Sequence, residues 1–243
     1  MQRTLFIIVA AVAVLLAIGL FGALRSRSGG AVGATAASVD PVELVTGARF
    51  ILGSAEAKVT VVDFSNYLCP HCRDHVLEVF PLIRRDYIDT GKVRYVFRDF
   101  PFGAPNNPQP PVVRAGEAAA CAADATIDKY VTYHEALFRA QEQWGGLPEP
   151  SLTRYFVDLA GQIGLAPAGF ENCLNSGQKR AGVLADRALA DKLRLSGTPA
   201  FFINATQVSG TMTYDDWKKA LDEALEGKTP TIPERNRPTS SSQ

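Results

Sequence analysis

The chain has 243 residues, enough for one large domain or one to two ordinary ones, and its 47% hydrophobic and 21% charged content excludes a disordered chain and a polytopic membrane protein. Its 25 basic and 25 acidic residues balance overall, but residues 1–37 hold Arg3, Arg25 and Arg27 with no acid, leaving 22 basic and 25 acidic groups beyond them. A mildly acidic body with no basic block offers little to a phosphate backbone, so nucleic-acid binding is disfavoured.

In chain order, the first element is Leu5 to Leu24, twenty residues without a charge. At 1.5 Å per residue that run crosses roughly 30 Å of hydrocarbon. Cleaved signals have shorter apolar regions of about 7–15 residues with small residues close behind. Here Ala34-Thr35-Ala36 comes about ten residues past the apolar end. Residues 1–24 are therefore read as a single transmembrane anchor in preference to a cleaved signal; either reading exports the body. Arg3 before the span and Arg25 with Arg27 after it leave the positive-inside count nearly tied. Residues 25–40, rich in Gly, Ser and Ala, read as a flexible linker.

Residues 58–65 (KVTVVDFS) are β-branched and apolar, which predicts a buried strand. A helix is expected from Pro70, with Val76, Val79, Phe80, Ile83, Tyr87 and Ile88 at an approximate 3–4 spacing and Gly91 as its stop. Pro81 lies inside it and should kink it. Residues 93–97 (VRYVF) predict a second strand, completing a βαβ unit with a right-handed crossover. A proline-rich loop over 100–111 leads into helical patterns at 112–125, 130–144, 151–163, 168–174 and 179–195. Residues 199–204 and 206–209 read as a strand pair, and 214–225 as a last amphipathic helix stopped by Gly227. The prolines at 230, 233 and 238 and the serines at 240–242 suggest a disordered tail over 229–243. The order βαβ, helices, ββα implies an α/β domain in two parts, 41–104 and 178–228, around a helical insertion at 105–177.

Chemistry concentrates at Cys69-Pro70-His71-Cys72, where a strand hands over to a helix. Unpaired N–H groups and the positive end of the helix dipole stabilise an anion in a first turn. Cys69 should be the more exposed thiol and Cys72 the deeper one, and a protonated His71 would add positive charge nearby. These effects lower the Cys69 pKa below the usual value of about 8.5. A stabilised thiolate is a good leaving group, so the disulfide form is a strong oxidant. The alternatives are a zinc site and a purely structural short-loop disulfide. Zinc would need His75 as a third ligand and a fourth from His134, Cys121, Cys173 or a carboxylate, none at finger-like spacing. His75 otherwise reads as an ordinary helix residue and His134 as a structural histidine.

VVDFSNYLCPHC, a helical block and SGTPAFFIN together resemble the DsbA-like family of thioredoxin-fold oxidoreductases over roughly residues 45–226. CPHC followed by Gly-Thr-Pro before a strand is the specific part of the match. The resemblance implies a thioredoxin-like α/β fold with an inserted all-helical domain, preceded here by the N-terminal transmembrane helix of a membrane-anchored bacterial form. Pro199 falls at the family's cis-proline, and with Thr198 would offer backbone groups to an extended substrate segment. Asp63 matches the acidic residue beneath the active site, a buried proton acceptor for Cys72; alternation along the strand does not itself decide which face Asp63 takes. His71 matches the variable dipeptide position. The acidic residues of the enterobacterial member just past the active-site turn have no match at Val76 and Leu77, so charge tuning there differs.

Cys121 and Cys173, 52 residues apart, read from the residues alone either as two buried free thiols or as a pair. The even cysteine count and an oxidising compartment favour a pair, and the resemblance places a structural disulfide at this spacing. The function implied is an extracytoplasmic thiol–disulfide oxidoreductase that inserts the redox-active Cys69–Cys72 disulfide into reduced exported proteins. It would act as a monomer without metal or organic cofactor and be reoxidised by a quinone-linked membrane partner. The rivals are a disulfide isomerase or reductase of the same fold, and a peptide-binding module without redox turnover.

Overall fold

In the computed structural model of the chain, residues 39–102 and 111–238 are described. The β-branched run forms the central strand, β2 (Val59–Ser65), which pairs in parallel with β3 (Val93–Asp99). A short strand, β1 (Phe50–Leu52), lies antiparallel on the outer edge of β3. On the other side of β2 come β4 (Ala200–Ile203) and β5 (Thr206–Ser209), both antiparallel, giving the order β1-β3-β2-β4-β5. Sequence patterning does not reveal β1: three residues are too few to show alternation. Before it, α1 (Pro41–Val45) is capped by Asp40, whose carboxylate accepts the Val42 N–H at 2.8 Å.

Side chains of a strand alternate between faces. Val59, Val61, Tyr95, Phe97, Phe201 and Ile203 point to one face and join a core that includes Cys72, Val76, Phe80 and the inserted helices. Val62, Phe64, Val96 and Phe202 point to the other, where Leu44, Ala190 and Leu195 close over them. Asp63 alternates with Val62 and Phe64, which puts it on the first face, opposite Phe97 and Phe201 in the register.

The connection from β2 to β3 starts as α2 (Pro70–Asp74), widens into a π turn at His75–Val79, narrows to α3 (Phe80–Ile83), and widens again at Arg84–Ile88. Pro81 has no N–H to donate and its ring crowds the carbonyl one turn back. A π turn accommodates this by adding a residue to the ladder, Phe80 N–H reaching His75 O; a second closes the helix, where Asp89 N–H reaches Arg84 O.

Between β3 and β4 come α4 (Pro111–Ala122), α5 (Ile127–Arg139), α6 (Gln141–Trp144), α7 (Ser151–Gln162) and α8 (Pro167–Ser176). The helix expected over 130–144 is thus divided at Ala140. These helices share their core with the sheet; Tyr130 of α5 stacks on Phe50 of β1 with centroids 4.1 Å apart. Next, α9 (Arg180–Lys192) packs on the opposite face along β3, and α10 (Tyr214–Leu225) follows β5.

The tail corrects an expectation. Residues 229–238 are laid against the body: Ile232 is buried, and Asn236 Nδ2 donates to the carbonyls of Ser209 and Thr211 at 2.9 and 2.7 Å. Prolines shorten the list of available conformations, and Ile232 and Asn236, with Thr231 bonded to Glu223 and Arg235 paired with Asp216, then hold the segment. Residues 1–24, read as the anchor, and most of the linker lie outside the described residues. Among those described, no helix is long and apolar enough to cross a membrane.

Candidate active site

Cys69 is the N-cap residue of α2, with extended backbone (φ −84°, ψ 121°), and Pro70 opens the helix. Cys69 is part exposed, Cys72 is fully buried one turn on, and both are free thiols. The loop entering β4 lies against them: the Thr198–Pro199 bond is cis, and the Thr198 carbonyl is 3.3 Å from Cys69 Sγ. Cys72 Sγ accepts a hydrogen bond from the Asn66 N–H at 3.5 Å.

Two thiols in one turn are thereby made unequal. Hydrogen bonding from the Cys72 thiol, from the Thr198 side chain and from the backbone N–H groups of Cys72 and His71 brings Cys69 down to about 5, against the opposing effect of burial. The Thr198 carbonyl, which accepts from the Cys69 thiol, favours the protonated form. Burial pushes Cys72 well above an ordinary thiol, and the neighbouring Cys69 adds to that rise. His71 contributes its backbone N–H to Cys69, and its ring is 73% exposed and 3.9 Å from Asp74.

Asp63 is 1% exposed beneath this turn. Its Oδ2 accepts from Tyr95 Oη at 3.0 Å, while Oδ1 is buried without a partner among the described residues. Burial raises the carboxyl to about 7; the Tyr95 bond opposes the rise and the charge of Cys69 adds to it.

The structure brings Cys69, Pro70, Cys72, Thr198, Pro199 and Asp63 into one region. It does not bring the other two histidines to the dithiol as ligands: His75 Nε2 is 3.0 Å from Tyr95 Oη, and His134 Nδ1 is 2.8 Å from Tyr67 Oη. Among the described residues no cluster of three or more His, Cys, Asp or Glu is arranged to hold a metal. Cys121 of α4 and Cys173 of α8 are joined as a disulfide, with Cα atoms 5.9 Å apart.

Gln141 has no counterpart in the sequence reading. Buried at the start of α6, it donates through Nε2 to the carbonyls of Tyr67 at 2.8 Å and Cys69 at 3.1 Å. It clasps the active-site turn to the inserted helices from more than seventy residues away. A single polar residue inside a helical pattern carries no local sign of such a role.

A dithiol capping the helix after a central parallel strand, faced by a cis-proline loop and with helices inserted between β3 and β4, places the molecule in the class of thioredoxin-fold proteins. Comparison with known proteins makes this specific: the chain belongs to the thioredoxin family, which it matches over residues 46–223. It is similar to the disulfide bond formation protein D of Bacillus subtilis, 28% identical over 187 residues, covering 73% of this chain and 78% of that one. It is also 30% identical over 181 residues to a Rickettsia prowazekii protein whose name reads protein-disulfide oxidoreductase, covering 74% of this chain. The chain spans 62% of that relative's length. The crystal structure of oxidised BdbD from Bacillus subtilis matches with a TM-score of 0.63 and 26% identity, covering 75% of this chain and 95% of that one. Alpha-DsbA1 of Wolbachia pipientis, at 24% identity and a TM-score of 0.63, covers 73% of this chain and 90% of its own and shares the fold.

Proposed function

We propose that this protein is an extracytoplasmic thiol–disulfide oxidoreductase that donates a Cys69–Cys72 disulfide to exported proteins. The observation that carries the reading is the inequality of the two thiols: Cys69 accessible and acidic, Cys72 buried and proton-holding. A substrate thiolate attacks Cys69 Sγ, the Cys69–Cys72 bond breaks, and Cys72 leaves with the electron pair and takes up a proton. A second substrate thiolate then attacks the substrate sulfur of the mixed disulfide and expels Cys69 as its stabilised thiolate. The substrate has lost two electrons and the protein has gained them. Loss of a low-pKa leaving group drives this direction.

Thr198 and Pro199 offer backbone to an extended substrate segment as an added strand, and Asp63 exchanges the proton of Cys72. Residues 1–24 tether the body to the membrane. A quinone-linked membrane protein takes the electrons back, and the Cys121–Cys173 bridge is structural. The names of the Bacillus subtilis and Rickettsia prowazekii relatives support this reading of the substrate class.

Parallel assays on reduced and on scrambled ribonuclease test it. Faster oxidation of the reduced form, abolished by Cys69→Ser, is expected. Faster recovery from the scrambled form would assign an isomerase instead, and full activity of Cys69→Ser in cells would assign a binding module.

A further inference from the structure

The exchange step requires a proton to reach Cys72 as it leaves, yet both Cys72 and Asp63 are sealed from water, at 0% and 1% exposure. For the buried thiol and carboxyl to equilibrate with bulk pH, protons need a path between them and solvent. The structure contains a chain of hydrogen-bonding groups leading away from Asp63. Tyr95 Oη is 3.0 Å from Asp63 Oδ2 and 3.0 Å from His75 Nε2. All three side chains are buried. A tyrosine hydroxyl has a single hydrogen. While that hydrogen is donated to Asp63, the contact to His75 is satisfied only with a proton on Nε2, which leaves the lone pair on Nδ1.

That nitrogen is the second observation. His75 Nδ1 is buried and has no hydrogen-bond partner among the described residues. His75 lines a cavity of about 360 Å³ with Asp74, Glu78, Thr211, Thr213 and Arg235, and with 1% exposure its Nδ1 lies just behind the cavity wall. The imidazole also packs against the Phe201 and Trp217 rings, with centroids at 4.5 and 5.6 Å. His75 opens the π turn and is buried, whereas the His71 side chain is exposed.

We propose that His75 and Tyr95 form a proton relay between solvent in this side cavity and Asp63, feeding and draining the proton of Cys72. The inference rests on the thiol–disulfide exchange reading above. When Cys72 leaves as a thiolate, side-chain motion at the cavity wall admits a water to His75 Nδ1, which takes its proton while Nε2 passes its own to Tyr95 Oη. Tyr95 passes its hydrogen to Asp63 Oδ2, and Asp63 gives a proton to Cys72. One proton has moved from water to sulfur, and His75 remains neutral as its other tautomer. During reoxidation Cys72 attacks the sulfur of a Cys69 mixed disulfide and gives up its proton. The chain then runs backward, water receives the proton at Nδ1, and the starting tautomer is restored. Burial among aromatic rings disfavours the imidazolium, so the ring passes protons rather than storing one. His75 and Tyr95 act on the sulfur only through Asp63.

Single-turnover stopped-flow reaction of the oxidised protein with a reduced dithiol peptide tests the relay, using wild type, His75→Gln and Tyr95→Phe in H₂O and D₂O. Glutamine can donate to Tyr95 but cannot accept and release protons at two nitrogens. His75→Gln is expected to slow Cys72 protonation by roughly 100-fold, the low end of general acid–base contributions, and to raise the solvent isotope effect. Tyr95→Phe should match it, with the double variant no slower than the slower single one. If Tyr95→Phe does not fold, His75→Gln decides alone. A folded His75→Gln within twofold of wild type, with an unchanged isotope effect, overturns the relay. Failure of the wild type to oxidise the peptide at all overturns the exchange reading instead.

Discussion

Cys69 and Cys72 sit three residues apart on one helical turn, and their difference in acidity comes from what each side chain can reach. Cys69 stands at the cap, where the nearby N–H groups of His71 and Cys72 favour its thiolate; Cys72 is enclosed by the core. Reduced protein carrying Cys72→Ala should therefore show a thiolate transition far below a free thiol when ultraviolet absorbance is followed against pH. The Cys72 hydrogen bond that lowers Cys69 most is lost in that variant, so its midpoint should lie above the value of about 5 reached in the intact pair. A midpoint near about 8.5 would refute the helix-cap argument. Asp63 carries a cost. Its folded pKa of about 7 lies above the ordinary 3.8. Its contribution to stability is therefore fully present below that ordinary value and is lost as pH rises through about 7. At higher pH, holding the ionised carboxylate buried costs up to about 4 kcal/mol at 1.36 kcal/mol per unit. Asp63→Asn should be more stable than the parent at pH 8 and no more stable near pH 4, by urea unfolding at both. Equal stabilities at pH 8 would mean that the carboxyl is not strained by burial.

Among the elements, the turn before α2 depends on the insert. Gln141 gives the Tyr67 carbonyl its side-chain partner, whereas the Cys69 carbonyl also accepts the Arg73 N–H. Gln141→Ala therefore orphans one buried carbonyl and should cost about 1–3 kcal/mol. Amide exchange over residues 66–69 should accelerate more than exchange in β2; uniform acceleration would indicate general destabilisation and no specific clasp. Between α4 and α8, the Cys121–Cys173 bridge closes a 52-residue separation. In the chain-entropy relation that is worth roughly 4 kcal/mol. The double Cys→Ala variant should lose about that much by denaturant unfolding, with the dithiol chemistry retained. Loss of less than about 1 kcal/mol would show that the unfolded chain is not the state being constrained.

At the scale of the molecule, the sheet face away from the dithiol is tied by buried charge. Asp186 on α9 accepts from Arg98 at 2.7 Å and from Arg49 at 2.7 Å, and Arg49 also reaches Asp99 at 2.7 Å. Arg98 extends to the carbonyls of Leu44 and Thr46, so one cluster links α1, β3 and α9. Gly182 makes room for it: a Cβ there would lie 2.6 Å from Arg49 Cδ. Removing one member of a buried ion pair leaves its partner unpaired. Asp186→Ala should accordingly cost about 3–5 kcal/mol in thermal or urea unfolding, with Asp186→Asn losing less; a cost below about 1 kcal/mol would show that water enters the cluster.

Much of this was legible in the chain itself. The β-branched run at 58–65, the proline opening a helix between two cysteines, the strand pair after Pro199 and the amphipathic helix over 214–225 are local patterns, determined by which neighbours are apolar and which cannot donate a hydrogen bond. Local patterns also mark Cys69 as the accessible thiol, because a cap position is defined by the residues beside it. Other features became visible only in three dimensions. Asp63 alternates between two faces that are both apolar, so its place under the dithiol was settled by how β2 pairs and what covers each side. The His71 ring turned away to Asp74, Gln141 reached back across the insert, and Tyr95 joined Asp63 to His75 because separate stretches of chain met there. Ile232 and Asn236 anchored a tail whose composition alone suggested disorder. Periodicity encodes how a residue is buried within its own element; which distant group it then faces depends on the packing of whole elements against one another.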